Sequence, residues 1–269
     1  MTAPTPHAAR LVVRYSDEEA VAFAAANRIL IALSDILATP GRTRADIAVT
    51  GGGDGIHVLE VMGESPLLTA VDWSRVHVWW GDERFVAADD PDRNAKQARE
   101  GLFDSLVERG LLPEANIHEM PADTRSAAER DAASDADDQA AADASAREYD
   151  SLLRSELGDG GALDIALFGV GPDAHFASLF PGHDEVRIAD GRLAVGVINS
   201  PKPPSLRVSM TVPFIQRSAA VWVIASSAAK REALTAALAT VDNPAVPVSN
   251  ASGTQSTVWM VDTAAVPSA

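Results

Sequence analysis

Six short apolar runs, separated by longer stretches with helical spacing, restrict this chain more than any other feature. The runs are Asp46–Thr50 (DIAVT), Val76–Trp80 (VHVWW), Asp164–Phe168 (DIALF), Leu193–Ile198 (LAVGVI), Ala220–Ala225 (AVWVIA) and Thr257–Val261 (TVWMV). Most are near-continuous rather than alternating, which is the pattern of parallel strands covered on both faces. Between them, Asp17–Ala38, Ala95–Arg109, Ala144–Leu157 and Ala228–Ala239 repeat apolar residues at helical spacing. This order predicts an α/β fold with an open, mostly parallel sheet flanked by helices. The 269 residues are enough to bury a sizeable core, and no linker breaks them, so residues 1–269 are expected to form a single domain. Within it, Thr124–Arg147 is rich in Ala, Asp and Ser and reads as a solvated loop running into an exposed helix.

Charge narrows the partners. A net charge of −16 and a pI near 4.7 repel nucleic acid and anionic membranes. No stretch approaches the roughly 20 apolar residues that span a bilayer, and Met1–Arg10 lacks the architecture of a signal peptide. A soluble, cytoplasmic protein is expected, a monomer or weak homodimer acting on a small molecule. The absence of cysteine excludes disulfides, thiolate metal sites and a Cys nucleophile. A chain this acidic that binds a phosphate must gather its few cations locally.

Ligands of parallel α/β sheets bind outside the carboxyl ends of the strands. DIAVT is followed by Gly51-Gly52-Gly53-Asp54-Gly55, and VHVWW by Gly81-Asp82-Glu83-Arg84. DIALF is followed by Gly169-Val170-Gly171-Pro172-Asp173-Ala174-His175, and LAVGVI by a loop holding Lys202 and Arg207. Four loops expected on one sheet edge thus carry glycines, one His and three cations. Successive glycine N–H groups can converge on an anion, with a helix starting near Ile56 adding its positive end. The same run also serves as a plain strand-to-helix turn. Arg84, Lys202 and Arg207 are the cations placed to meet a phosphate. His175 is the candidate general base, with Asp173 two residues away to fix its tautomer; a His bonded to turn backbone is the alternative. His7, His57, His77, His118 and His183 have no comparable setting.

Other chemistries lack their residues. There is no G-x-S-x-G elbow, no H-E-x-x-H helix and no ligand spacing typical of a metal site, so neither metal nor cofactor is expected. Gly169–Ala174 matches a loose dinucleotide pattern, but Pro181-Gly182 interrupts the helix that such a fingerprint needs.

The same loops carry a family resemblance. Gly169–Gly182, GVGPDAHFASLFPG, is similar to the signature of the 6-phosphogluconolactonases. The glycine loop, the Trp80–Arg84 segment WGDER with Asn94 following, SPKPP with Arg207, and VPFIQRSAAVWVIASSAAKREAL agree with it in order, over roughly residues 10 to 265. The resemblance implies a Rossmann-like fold related to glucosamine-6-phosphate deaminases and ribose-5-phosphate isomerases. It implies hydrolysis of 6-phosphogluconolactone in the oxidative pentose phosphate pathway, without a cofactor. His175 would activate water, and Gly51, Gly52, Gly53, Arg84, Lys202 and Arg207 would hold the phosphate. Arg84 or backbone N–H groups would stabilise the oxyanion.

The chain departs from the family pattern in three places. Ala174 replaces a common Gly, and Phe176 replaces a small or polar residue, so both are expected to alter the pocket's shape. Asp54 stands where a Ser or Thr would donate to phosphate; it is expected to cap the following helix, the alternative being a carboxylate facing the phosphate. Two other readings remain. One is an isomerase or deaminase of the same fold, against which stands Leu179-Phe180-Pro181-Gly182 in place of an Asn-Glu-Pro-Gly type sequence. The other is a non-catalytic sugar-phosphate sensor.

Overall fold

The computed structural model describes residues 8–266. His7 and the rest of the segment before Ala8 lie outside the described residues. Seven parallel strands form the main sheet: β1 (Arg10–Tyr15), β2 (Ala45–Val49), β3 (Val76–Trp80), β5 (Ile117–His118), β6 (Ile165–Gly169), β9 (Ala220–Ala225) and β10 (Ser256–Asp262). Their order is β1-β10-β9-β6-β2-β3-β5. Every residue of β2 is buried, which is why its run is apolar without alternation. From β2 the chain winds outward through β3 to β5. It then returns to β6, beside β2, and winds outward the other way through β9 and β10. The order therefore reverses between β2 and β6, where the loops leaving the two strands diverge and open a crevice.

Helices cover both faces. Helix α1 (Glu18–Ala38) starts at Asp17, whose carboxylate accepts from the Ala20 N–H at 2.9 Å. It packs against α2 (Gly52–Glu64), which in turn meets α3 (Asn94–Ala98) and the π-turn Arg99–Phe103 that leads into α4 (Asp104–Glu108). On the other face lies α6 (Asp135–Leu157), preceded by the short α5 (Ala127–Ala132), which buries no residue. Trp80 meets Phe103 on the first side, and Trp79 meets Tyr149 of α6 on the second. A separate antiparallel sheet, in the order β4-β8-β7, joins β4 (Asp82–Arg84), β7 (Ala194–Val197) and β8 (Arg207–Met210). Short α7 (Val212–Ile215) precedes β9, and α8 (Arg231–Leu238) precedes β10.

Four expectations need correction. The run Leu193–Ile198 is a strand over Ala194–Val197, but it belongs to the antiparallel sheet. All four of its residues are buried, and a short continuous apolar run reads alike in either setting. Arg84 lies in a strand of that sheet rather than in a loop. The acidic segment is helical from Ala127, with capping boxes at Ser126/Glu129 and Ser134/Asp137. Most of its alanines are exposed, as expected, but Ala142 and Ala146 are buried, and a Cβ on Gly196 of β7 would stand 2.6 Å from the Ala142 carbonyl carbon. Small side chains let α6 lie close on the second sheet. Finally, α1 is long and apolar enough to cross a membrane, contrary to the count of apolar stretches. Its packing accounts for that composition, since Val21, Ala22, Ala25, Ala26, Ile29, Leu30, Leu33 and Leu37 form one buried stripe.

Candidate active site

The crevice between the carboxyl ends of β2 and β6 holds a cavity of about 250 Å³. Gly51, Gly52, Gly53, Asp54, Arg84, His175, Lys202 and Arg207 all line it. Asp173 touches the imidazole from behind. The structure thus brings together every site residue expected from sequence.

The glycines are the first turn of α2 itself, which starts at Gly52 rather than near Ile56. Gly51 at the N-cap is extended and supplies no side-chain cap. The leading N–H groups of a 13-residue helix, and its positive end, are thereby turned on the cavity. Asp54 neither caps this helix nor stands as a bare charge in the pocket. It lies inside the first turn and reaches across to the loop after β9. There the Ser226 hydroxyl donates to it at 2.7 Å, the Ser226 N–H at 3.3 Å, and the Lys230 ammonium pairs with it. Asp54 is three places past the N-cap, where Glu129 and Asp137 in their own helices reach back to the N-cap N–H; here Ser226 and Lys230 draw the carboxylate across the loop instead. Lys230, which also lines the cavity, was not singled out from sequence.

Arg84 and Arg207 face each other as cross-strand partners in β4 and β8. Arg207 is buried and donates through Nε to the Pro204 carbonyl at 2.8 Å and through Nη2 to that of Lys202 at 3.2 Å. Burial, with Arg84 opposite, pulls its pKa below the usual value in spite of Asp82. Arg84 donates to the Asp92 carbonyl at 2.6 Å. Among the described residues, no carboxylate stands within 4.0 Å of either guanidinium. Like charges directly opposite in an antiparallel pair are unfavourable. An anion placed between them would relieve that repulsion.

The His loop meets this charge from the other side. The His175 Nδ1 lies 2.5 Å from Asp173 Oδ1. An ionised carboxylate only accepts, so Nδ1 carries a proton, and in the neutral ring the lone pair is on Nε2. Burial alone would raise the Asp173 carboxyl. The hydrogen bond from His175, with the Lys202 charge 4.0 Å away, holds it below the ordinary range instead. Gly171 makes the close pairing possible, because a Cβ there would fall 2.1 Å from the His175 ring. The Gly171 N–H donates to the His175 carbonyl at 2.9 Å, closing the loop.

Two neighbours explain the departures in this loop. Ala174 has φ +67°, the left-handed conformation in which Gly carries no penalty. Phe176 is buried edge-on against Phe168, so it turns into the core and does not shape the pocket. Phe180, with its ring centroid 4.6 Å from that of His175, forms the apolar wall beside the base. Sequence reasoning also passed over Ser178, which donates to buried Asp82 at 2.7 Å, and Glu83. The Glu83 carboxylate accepts from the N–H groups of Arg84, Asn94 and Ala95 at 2.6–2.8 Å. It ties the strand carrying Arg84 to the start of α3.

The family model for glucosamine-6-phosphate isomerases/6-phosphogluconolactonase matches residues 16–259. A 6-phosphogluconolactonase of Streptomyces coelicolor is 38% identical over 255 residues, covering 94% of this chain and 92% of that protein. One of Mycobacterium tuberculosis is 37% identical over 251 residues, covering 92% and 94%. The crystal structure of a 6-phosphogluconolactonase from Leishmania guyanensis shares the fold, with a TM-score of 0.80 at 21% identity over 97% of this chain and 98% of that one.

Proposed function

The chain belongs to the 6-phosphogluconolactonase family and hydrolyses 6-phosphoglucono-1,5-lactone in the pentose phosphate pathway, and we propose that it does so with a water activated by His175. One observation carries the reading of the site. Two cations without carboxylate partners stand beside an uncapped helix end, across one cavity from an imidazole whose tautomer a carboxylate fixes. The helix end, Arg84 and Arg207 bind the phosphate, and Lys202 adds charge at the rim. The bound phosphate sets C1 of the lactone beside the base.

His175 Nε2 takes a proton as the water oxygen bonds to C1. The carbonyl oxygen becomes an oxyanion, stabilised by Arg84 or by backbone N–H groups; one such donor is worth roughly 3 kcal/mol. The C1–O5 bond then breaks, and the imidazolium returns its proton to O5. A ring-opened acid is released as its carboxylate. Asp173 steadies the imidazolium while it carries the proton. The lactone carbonyl is already electrophilic, so side chains and water suffice. The reading places the enzyme in the cytoplasm, as a monomer or weak homodimer with a small-molecule substrate.

A coupled assay on freshly generated 6-phosphogluconolactone, run beside a deamination assay on glucosamine 6-phosphate, tests the substrate class. Enzyme-dependent opening of the lactone without release of ammonia is expected. Ammonia release with no lactone opening above the spontaneous rate would reject the reading.

A further inference from the structure

A second group of ionisable side chains lies outside the active-site cavity, on residues scattered along the chain. His77 is the second residue of β3, near its amino end, and His118 ends the two-residue edge strand β5. The β3–β5 pairing aligns Trp79 with His118, and the period of two puts His77 on the same face. Helix α6 covers that face and presents Glu156 in its last turn. One ring nitrogen from each His and a Glu156 carboxylate oxygen lie within 4.8 Å of one another.

We propose that His77, His118 and Glu156 bind one divalent d-block cation of the zinc class. Two imidazoles and one carboxylate are a donor set for this ion, with a fourth position for water. His118 is buried, and its ring stacks on Trp79 with centroids 4.0 Å apart, which fixes its orientation. His77 lies parallel to it, at an interplanar angle of 8°, with Nδ1 2.9 Å from His118 Nε2. Tetrahedral ligation at 2.0–2.1 Å sets two nitrogens about 3.3 Å apart, so the nitrogens, now 2.9 Å apart, part by a few tenths of an ångström and the rings turn until both lone pairs meet the ion. Burial favours the neutral form of both imidazoles, which is the form that binds metal.

The surroundings balance the charge. Arg44 bridges Asp46 at 2.6 Å and Glu156 at 3.1 Å, so one cation faces two carboxylates. A metal draws Glu156 from Arg44 and leaves Arg44 with Asp46. The ion then ties β3, the short edge strand and the end of α6 together. None of the three residues lines the active-site cavity, so lactone hydrolysis proceeds without the ion.

Calorimetric titration of chelator-treated protein with ZnCl2 tests the site, using wild type, His77→Gln, Glu156→Gln and His175→Ala. His118 is spared because its ring packs on Trp79. One equivalent is expected to bind wild type and His175→Ala alike, with Kd raised at least about tenfold in the other two variants. Zinc should raise the Tm of wild type and not that of His77→Gln, and both His77→Gln and Glu156→Gln should keep lactonase activity. No saturable binding up to millimolar zinc would leave His77 and His118 as a hydrogen-bonded pair and overturn the proposal. So would binding that survives in His77→Gln and Glu156→Gln, or binding that is lost in His175→Ala.

Discussion

Arg84→Ala separates an anion-binding cation from a structural one, because the two roles give effects of opposite kind. At about 4 Å, with an effective dielectric constant near 20, one cation–anion pair gains about 4 kcal/mol. Arg84 is partly exposed, and screening brings its share of phosphate binding to about 2 kcal/mol, or roughly 30-fold. In the free protein the same substitution removes one bond, to the Asp92 carbonyl, worth about 1–2 kcal/mol. It also relieves repulsion with buried Arg207 directly opposite. These terms nearly cancel, so Tm without ligand should move by no more than about 4 °C. The assays are KM for 6-phosphogluconolactone and for unphosphorylated gluconolactone, with thermal melts in the presence and absence of 6-phosphogluconate. We expect KM to rise about 30-fold for the first lactone and less than about threefold for the second. The Tm gain from 6-phosphogluconate should be largely lost. Equal losses for both lactones, or a melt many degrees lower without ligand, would refute phosphate binding by Arg84.

Two further outcomes follow from two carboxylates near the pocket, Asp54 and buried Glu83. Asp54→Ser should cost about 1–3 kcal/mol of stability, since Asp54 accepts from Ser226 and pairs with Lys230, and should lower KM a few-fold by freeing the Lys230 charge; an unchanged Tm would show that the cross-loop bonds contribute nothing. Burial pushes the Glu83 carboxyl from 4.5 up to about 7, against Arg93 and three N–H donors. Its folded value lies above the unfolded one, so its stabilising effect is present below about pH 4.5 and is lost as pH rises through about 7. Urea unfolding at pH 5 and pH 8 should therefore show the advantage of wild type over Glu83→Gln shrinking by up to about 3 kcal/mol, and a constant difference would contradict this.

What the sequence disclosed follows from the range of the interactions involved. The central strands were legible because burial on both faces leaves an unbroken apolar run, as in DIAVT and VHVWW. β1, RLVVRY, was missed because an edge strand tolerates charge, and β5 because two residues make no pattern. The His loop was legible because Gly171, Asp173 and His175 are neighbours in the chain as well as in space. The Asp54–Lys230 pair joins residues 176 positions apart, which no spacing rule reaches. The cluster at His77, His118 and Glu156 was hidden for the same reason. Asp54 was assigned a cap because its helix was expected to begin near Ile56, and beginning at Gly52 put the residue inside the first turn.

The base at position 175 is the claim on which the account turns, and kcat of His175→Ala measures it most directly. The assay uses freshly generated 6-phosphogluconolactone at neutral pH, corrected for spontaneous opening, with circular dichroism to check the fold. A positioned base acts in the transition state, so kcat should fall by about 10²-fold or more, with KM little changed. An unchanged kcat in a folded variant would remove His175 from the reaction and contradict the account.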